Sequence, residues 1–481
     1  MPVRRLRTII ATSLAVACTV SVAGVAAAAP AAAPSVAEPA VAAASVPGQP
    51  SDNYTMLPGN YFSFPNRSAT EKYAIRNRVL RTINSTWGGK HNGLGEPSAP
   101  NGSIKITTWS FNDWSIAKAL VRARNRGVTV QIMAATTRNV DNPQWQYLRR
   151  QLGATLYKPG HRETAPKHSW ARQCRGSCRG SGGTPHSKFF LFNNVGSGHN
   201  ENIVMQTSAN LTSMAYQGQW NQSQVVWSEP VYRHFSEIFT QMGWGRPASV
   251  PYRAWSSPTI NDYFFPKPGT TGSTDPVMAA LNKVNCTGAT AGGTGSRTKI
   301  RIIQYAIYDN RGVWLAKRLR YLWNRGCDVA IIYSISTRPV IAILRSHSGR
   351  GPIPMKQSVI TNSKGEIVKY NHSKWMTISG NWNGHTNSYM AFSGSANWSN
   401  AAFANDEQMQ QIISPYRVTK FLQNFLITWR QKSSHAPGYG QKMAEGRVMA
   451  NAYAGTGGGY APGSTIPWGT GAYKHLDPNG E

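Results

Sequence analysis

The sequence predicts an α/β protein made of two similar mixed-sheet halves, on three observations. Residues 104–135 and 300–334 each read as an apolar strand, a connection, a basic amphipathic helix ending at Asn-Arg-Gly, and a second apolar strand. Each half then reaches a strand headed by His-Ser-Lys, at 186–188 and 372–374, so the two histidines lie 186 residues apart. Each continues into a short strand that ends in Ser-Ala-Asn, at 208–210 and 395–397, an offset of 187. Near-equal offsets over several consecutive elements mark a duplicated fold.

From the amino terminus, Arg4, Arg5 and Arg7 precede an uncharged apolar run and small residues near Ala27 to Ala29, the pattern of a secretory signal peptide over 1–29. The Ala/Pro/Ser/Val-rich stretch 30–52 reads as a disordered lead-in. The first half is expected over 53–247 and the second over 276–433, with Gly127 and Gly326 just past helix ends, where a left-handed cap is wanted. Between them, the Pro/Ser/Thr-rich stretch 248–275 reads as an ordered linker. Residues 434–481, rich in Gly, Pro and Tyr, read as a loosely ordered tail.

A secreted, extracellular location permits disulfides. Without Cys18 of the leader, Cys174, Cys178, Cys286 and Cys327 remain; the spacing suggests a Cys174–Cys178 clip and a Cys286–Cys327 bridge, with a four-thiolate zinc site as the alternative. The formal charge is +31, and removal of the three leader arginines gives 31 − 3 = +28. That excess favours polyanionic partners, whether an anionic membrane surface or nucleic acid. The loop 157–185 gathers Lys158, Arg162, Lys167, Arg172, Arg175 and Arg179 against Glu163 alone, and reads either as an electropositive rim or as a solvated loop. Trp109, Trp114, Trp375, Trp382 and Trp398 fall near strand ends and are read mainly as packing, while His161, His168, His199, His234, His347 and His385 have no recurrent spacing and receive no role.

In a strand, residues two apart point to one face, so each His-x-Lys pair can hold an anion between imidazole and ammonium. Two such pairs, each followed by a Ser-Ala-Asn turn, resemble the phospholipase D superfamily over about residues 55 to 432. The resemblance implies two halves about a pseudo-twofold axis, with His186, Lys188 and Asn210 facing His372, Lys374 and Asn397 across one cleft, and Ser208 and Ser395 as substrate-binding positions. It implies phosphodiester chemistry through a phosphohistidine, without metal or other cofactor, in a monomer that carries both motifs. The family's usual arrangement makes His186 the nucleophile and His372 the acid and base. The acid the family carries five residues after each lysine is replaced by Asn193 and Ser379. When Asn221-Gln-Ser-Gln224 is set against Asn405-Asp-Glu-Gln408, Glu407 takes the place of a histidine-orienting carboxylate and Ser223 has none to offer. On that alignment Glu407 supports His372 and the two histidines exchange roles.

The substrate class stays open between members of one superfamily. The leading expectation is a secreted phospholipase D that hydrolyses or transfers the phosphatidyl group of glycerophospholipids. The alternatives are an extracellular nuclease, suggested by the basic charge, and a non-catalytic binder of anionic polymers, suggested by Asn193 and Ser379.

Overall fold

Ile104 and Ile106 alternate with Lys105 in strand β2 (Ser103–Thr107), and the chain then turns at Asp113, whose carboxylate accepts from the Ile116 amide and starts the helix Trp114–Asn125. That helix ends before Gly127, whose φ of +95° is one that side chains with a Cβ rarely adopt. Strand β3 (Thr129–Ala135) follows, parallel to β2. The second half repeats this unit as β10 (Lys299–Ile307), the helix Asp309–Asn324, Gly326 at φ +100° and β11 (Asp328–Ser336). The computed structural model describes residues 49–88, 102–153, 169–439, 466, 468 and 470–477. The expected signal peptide and most of the lead-in lie outside them, as do Lys158, Arg162, Glu163 and Lys167 of the basic loop.

The remaining strands of the first half are β1 (Gly59–Ser63), β4 (Trp170–Cys174), β5 (Phe189–Asn193), β6 (Ile203–Thr207) and β7 (Gln219–Trp227). Those of the second are β8 (Arg253–Ser256), β9 (Ile260–Phe264), β12 (Met355–Thr361), β13 (Ile367–Asn371), β14 (Lys374–Trp382), β15 (His385–Gly394) and β16 (Gln408–Ile413). The first sheet runs β4-β3-β2-β5-β6-β7-β1 and the second β12-β11-β10-β14-β15-β16-β9. The senses agree pair by pair: parallel over the first two steps, antiparallel over the rest. The duplication legible in the spacing is therefore a duplication of topology.

Strand β5, Phe-Phe-Leu-Phe-Asn, is apolar on both faces because both are covered. Phe190 and Phe192 join the core beneath the helices Ala74–Asn84, Trp114–Asn125 and Pro143–Leu152. Phe189 and Leu191 join a second core with residues of both halves, including Phe239 of the helix Glu229–Trp244, Phe421 of the helix Pro415–Arg430, and Trp375 of β14. A third core lies under the helices Pro276–Asn282, Asp309–Asn324 and Arg338–Leu344. The halves share the middle core, and residues 46–481 form one compact unit.

Two stretches depart from the sequence reading. Residues 253–264, expected within a linker, form the hairpin β8–β9, and β9 occupies beside β16 the edge that β1 occupies beside β7. Trp255, Ile260 and Phe264 pack against the shared core, and Tyr263 packs on the opposite face against the core of the second half. In the expected loose tail, Ile466, Ala472, Tyr473 and Leu476 are buried against Tyr305, Tyr308 and Tyr370. Burial of four apolar side chains outweighs the low periodicity of the segment.

Cys174 is bonded to Cys178 and Cys286 to Cys327, as the spacing suggests. The two bridges close loops of very different length, with sequence separations of 4 and 41. In the chain-entropy account the longer loop stabilises by about 4 kcal/mol and the shorter by about 2 kcal/mol. Urea denaturation of Cys286→Ser/Cys327→Ser is expected to show the larger loss, and of Cys174→Ser/Cys178→Ser the smaller.

Candidate active site

Strands β5 and β14 start at Phe189 and Lys374, so the His-Ser-Lys segments sit at the sheet ends where the ladder has run out. Their amides need other partners, and the opposite half supplies them. The His186 amide donates to the Asp406 carbonyl at 2.9 Å and the His372 amide to the Trp220 carbonyl at 2.8 Å. The Lys188 amide donates to Gln408 Oε1 and the Lys374 amide to Gln222 Oε1, both at 3.0 Å. The same glutamines close the motif from the other side: Gln408 Nε2 donates to the Lys188 carbonyl at 3.0 Å, Gln222 Nε2 to that of Gly394 at 3.0 Å and of Lys374 at 3.3 Å. Each side chain does for one residue what a neighbouring strand would have done.

These crossings bring both pairs to one buried place. His186, Lys188 and His372 are fully buried and Lys374 nearly so. Each lysine ammonium donates at 2.7 Å to the carbonyl of its own histidine. The rings of Trp109 and Tyr305, from equivalent positions after β2 and within β10, stand edge-on to His186 and His372, with centroids at 5.9 and 4.9 Å. Lys188 and Lys374 lie over the same two rings at 5.9 and 4.9 Å. Asn210 accepts from the Trp109 amide at 3.3 Å, and its Nδ2 is buried with no partner among the described residues, a donor available to an anion. Asn397 is buried, and its carbonyl is held by Arg311, whose guanidinium is itself paired with Asp275 in a fully buried ion pair.

Behind the histidines the halves differ. Glu407 Oε1 meets His186 Nδ1 at 2.7 Å, and its other oxygen accepts from Ser395 Oγ. Asn221 Oδ1 meets His372 Nδ1 at 3.1 Å and accepts from Ser208 Oγ at 2.7 Å. Glu407 thus supports His186, and the expected pairing with His372 is corrected. The offset is 186 here as between the two His-Ser-Lys motifs, which sets Glu407 against Asn221 rather than Ser223. The strand that follows each Ser-Ala-Asn turn reaches across to the other half, so a histidine is oriented from its partner half. Ser208 and Ser395, expected to bind substrate, are also corrected: both hydroxyls are engaged by the residue behind a histidine. Asn193 and Ser379 lie five residues along their strands from the lysines, holding Asn202 and Gly292, so the site does not depend on a carboxylate there.

The electrostatics follow from dryness and crowding. Burial, and next the charge of Lys188, pushes the Lys374 ammonium well below its ordinary range. Burial holds His186 below its ordinary value against the opposing pull of Glu407. Burial would raise the Glu407 carboxyl, but the charge of His186, their hydrogen bond, Lys188 and Ser395 together bring it below its ordinary value. Burial raises the neighbouring Asp406 carboxyl to about 6 although it accepts from the Cys178 amide.

Sequence reading missed Gln222, Gln408, Trp109 as a ring against His186, and Arg138. Strict use of the 186 offset would have found the glutamines. Arg138 lies over Trp109 at 4.6 Å and pairs with Asp477, whose carbonyl accepts from Tyr305 at 3.2 Å, so the tail crosses between the aromatics that flank the two histidines. Trp375, Trp382 and Trp398 are buried, Trp114 is exposed. Among the described residues no His/Cys/Asp/Glu group has the arrangement of a metal site.

The model of the family described as cardiolipin synthase, phospholipase D-like domain, matches residues 98–244 and 294–429, one stretch in each half. The chain belongs to this family. Members of the phospholipase D-like family act on phosphodiesters, of lipids or of nucleic acids. Among solved structures, the chain is similar to phosphatidylserine synthase from Haemophilus influenzae, at 11% identity over 80% of this chain and 90% of that one, with a TM-score of 0.49. It is similar also to polyphosphate kinase from Porphyromonas gingivalis (12% identity, 77% and 50% covered, TM-score 0.49) and to the phospholipase D family member Nuc from Salmonella typhimurium (22%, 40% and 99%, 0.27). The match spans half the length of that polyphosphate kinase. No curated protein matches in sequence.

Gln408 is the brace whose loss is most readable. Gln408→Ala leaves the buried Lys188 amide short of its partner, which costs about 1–3 kcal/mol, while the Lys188 carbonyl keeps the Thr207 amide at 3.0 Å. Urea denaturation is expected to show a loss of that order, well above the change for an exposed control such as Lys364→Ala.

Proposed function

We propose that the protein is a secreted phosphodiesterase of phospholipase D type that hydrolyses or transfers the phosphatidyl group of glycerophospholipids. The observation that carries this reading is the convergence of two buried His-x-Lys pairs, one from each half, together with a buried Asn210 Nδ2 that has no partner among the described residues. Two ammonium groups and an amide donor suit a phosphate whose oxygens gain charge during attack. Glu407 fixes the Nδ1–H form of His186 and leaves the Nε2 lone pair for phosphorus. A P–N bond forms as the P–O bond to the head group breaks; the departing oxygen takes the electron pair and a proton from His372. Water or an alcohol then gives its proton to His372 and attacks phosphorus, and the P–N electron pair returns to His186. The family's usual assignment of the two histidines is thereby restored, and the exchanged one abandoned.

The lipid reading rests on the signal-peptide pattern at 1–29 together with family membership. Among the described residues no helix is long and apolar enough to cross a membrane. The formal charge of +31 supports the nuclease as second reading, since phosphate contacts by Lys and Arg supply most non-specific nucleic-acid affinity.

Two measurements test this. With phosphatidylcholine vesicles, a chelator and dilute ethanol, phosphatidic acid and phosphatidylethanol are expected by mass spectrometry, and His186→Asn is expected to lower both by at least about 10³-fold with folding kept. Turnover of single-stranded DNA with untouched vesicles would transfer the assignment to the nuclease. Burial and the charge of Lys188 depress Lys374, and an anion that settles between the lysines opposes that shift and favours the ammonium. Calorimetry of sulfate binding near pH 8, in buffers of different ionisation enthalpy, is expected to show proton uptake, lost in Lys374→Met.

A further inference from the structure

The two halves agree in topology, in the lysine braces, in the flanking aromatics and in the serine behind each histidine. They disagree in the residue that meets each histidine Nδ1, Glu407 in one half and Asn221 in the other, and each of these is built into surroundings that suit it. Asn221 Nδ2 donates to the Ala215 carbonyl at 3.0 Å and points at Gln219 Oε1 at 3.4 Å. That fixes which end of the amide is which: the oxygen is turned to His372 and Ser208, the nitrogen to two acceptors. A carboxylate in this place would set its second oxygen against the Ala215 carbonyl. At the equivalent position of the other half the neighbour is reversed, because Asn405 Nδ2 donates toward Glu407 Oε1 at 3.4 Å. One site is made for an amide and the other for a carboxylate. Asn221, Gln219 and Glu407 are all buried, so neither polarity is set by solvent.

The chemical consequence follows from what an acceptor does to an imidazole. Both acceptors select the Nδ1–H form and present Nε2 to the cleft side. Only the carboxylate adds a full negative charge that favours the imidazolium and makes the neutral ring a better nucleophile. We infer that Asn221 is a positioning residue which holds His372 by a neutral hydrogen bond, so that His372 gives up its proton more readily than a carboxylate-backed histidine and the two halves are chemically unequal. The division of labour rests on the phosphodiester reading above, whereas the geometry of His372 does not. The titratable and charged groups that face His372 are the Tyr305 and Tyr370 rings, at 4.9 and 6.2 Å, Lys374 of its own motif, and, through their charges on Lys374, Lys188 of the other half and Glu407 of the same half. All of these stay in place when Asn221 alone is changed.

The test uses the full mature chain with ¹⁵N-labelled imidazoles, the His372 signals assigned by their loss in His372→Gln. In the unaltered protein neutral His372 is expected in the Nδ1–H form. In Asn221→Asp its titration is expected to move up by about one to three pH units, the range for an opposite charge at contact distance. The alkaline limb of kcat/KM for bis(p-nitrophenyl) phosphate is expected to move with it, while the acid limb, which reports His186, stays. Asn221→Ala, which keeps the backbone and adds no charge, is expected to lower kcat at least about tenfold with KM little changed, and to let phosphohistidine accumulate on His186 because its breakdown needs His372. If Asn221→Asp does not fold, the Asn221→Ala tautomer populations decide. An Nε2–H form in the unaltered protein, or an unmoved His372 in both variants, overturns the inference. An unaltered protein that splits no phosphodiester but gives the expected imidazole spectra overturns the proposed function and leaves the role of Asn221 standing.

Discussion

Two lysine side chains held beside one another away from water are the constraint that the rest of this structure answers to. Each ammonium loses its hydration, and each raises the cost of the other's charge. The fold offsets this with short-range partners of fixed geometry: a carbonyl of the same motif at 2.7 Å and the face of an aromatic ring for each lysine. The remaining cost shows in Lys374, which is driven well below its ordinary range. Two cations held this way favour an anion between them, which is the feature the proposed phosphodiester reading draws on.

Holding such groups requires a rigid frame, and the frame comes from crossing the halves rather than from either half alone. Gln222 and Gln408 stand in for missing strands, the pairing of β13 with β7 and the bridge from Pro185 to Asp406 run across the same line, and the middle core is shared. A half on its own would present an open motif with unmet amides. The two His-x-Lys pairs are therefore held as a pair of pairs, which is why both the histidine and the group that orients it must be read together.

Much of this was legible in the sequence. The strand-helix-strand units, the left-handed caps at Gly127 and Gly326, the two His-Ser-Lys strands and both cysteine pairs follow from periodicity, spacing and composition. The hairpin β8–β9 was hidden because Ser257, Pro258 and Thr259 punctuate a segment whose pairing partner, β16, lies far along the chain; long-range pairing leaves little local signature. The wrong partner for Glu407 has a different cause. An alignment that matched Asn221 with Asn405 favoured identical letters over the offset of the two His-Ser-Lys motifs, and no sequence pattern says that a residue serves the histidine of the opposite half. The contacts of Ser208 and Ser395 were missed for a more local reason, since each hydroxyl meets a residue 13 or 12 positions further along its own half, in the segment that folds back beside it.

The asymmetry at 221 and 407 shows how a duplicated fold can escape its own symmetry without losing its frame. Backbone crossings, braces and aromatics determine where the reactive groups sit, and these are kept alike in both halves, so position is preserved. Charge behind the ring determines what each group does, and it can be altered by replacing one carboxylate with one amide of similar shape. The neighbouring polarity must follow, and it does: Gln219 offers an acceptor where Asn405 offers a donor. The proposed double displacement at phosphorus asks one imidazole to hold the phosphorus and the other to pass a proton out and back. Two identical imidazoles would compete for both tasks, whereas a carboxylate on one side and an amide on the other assign them.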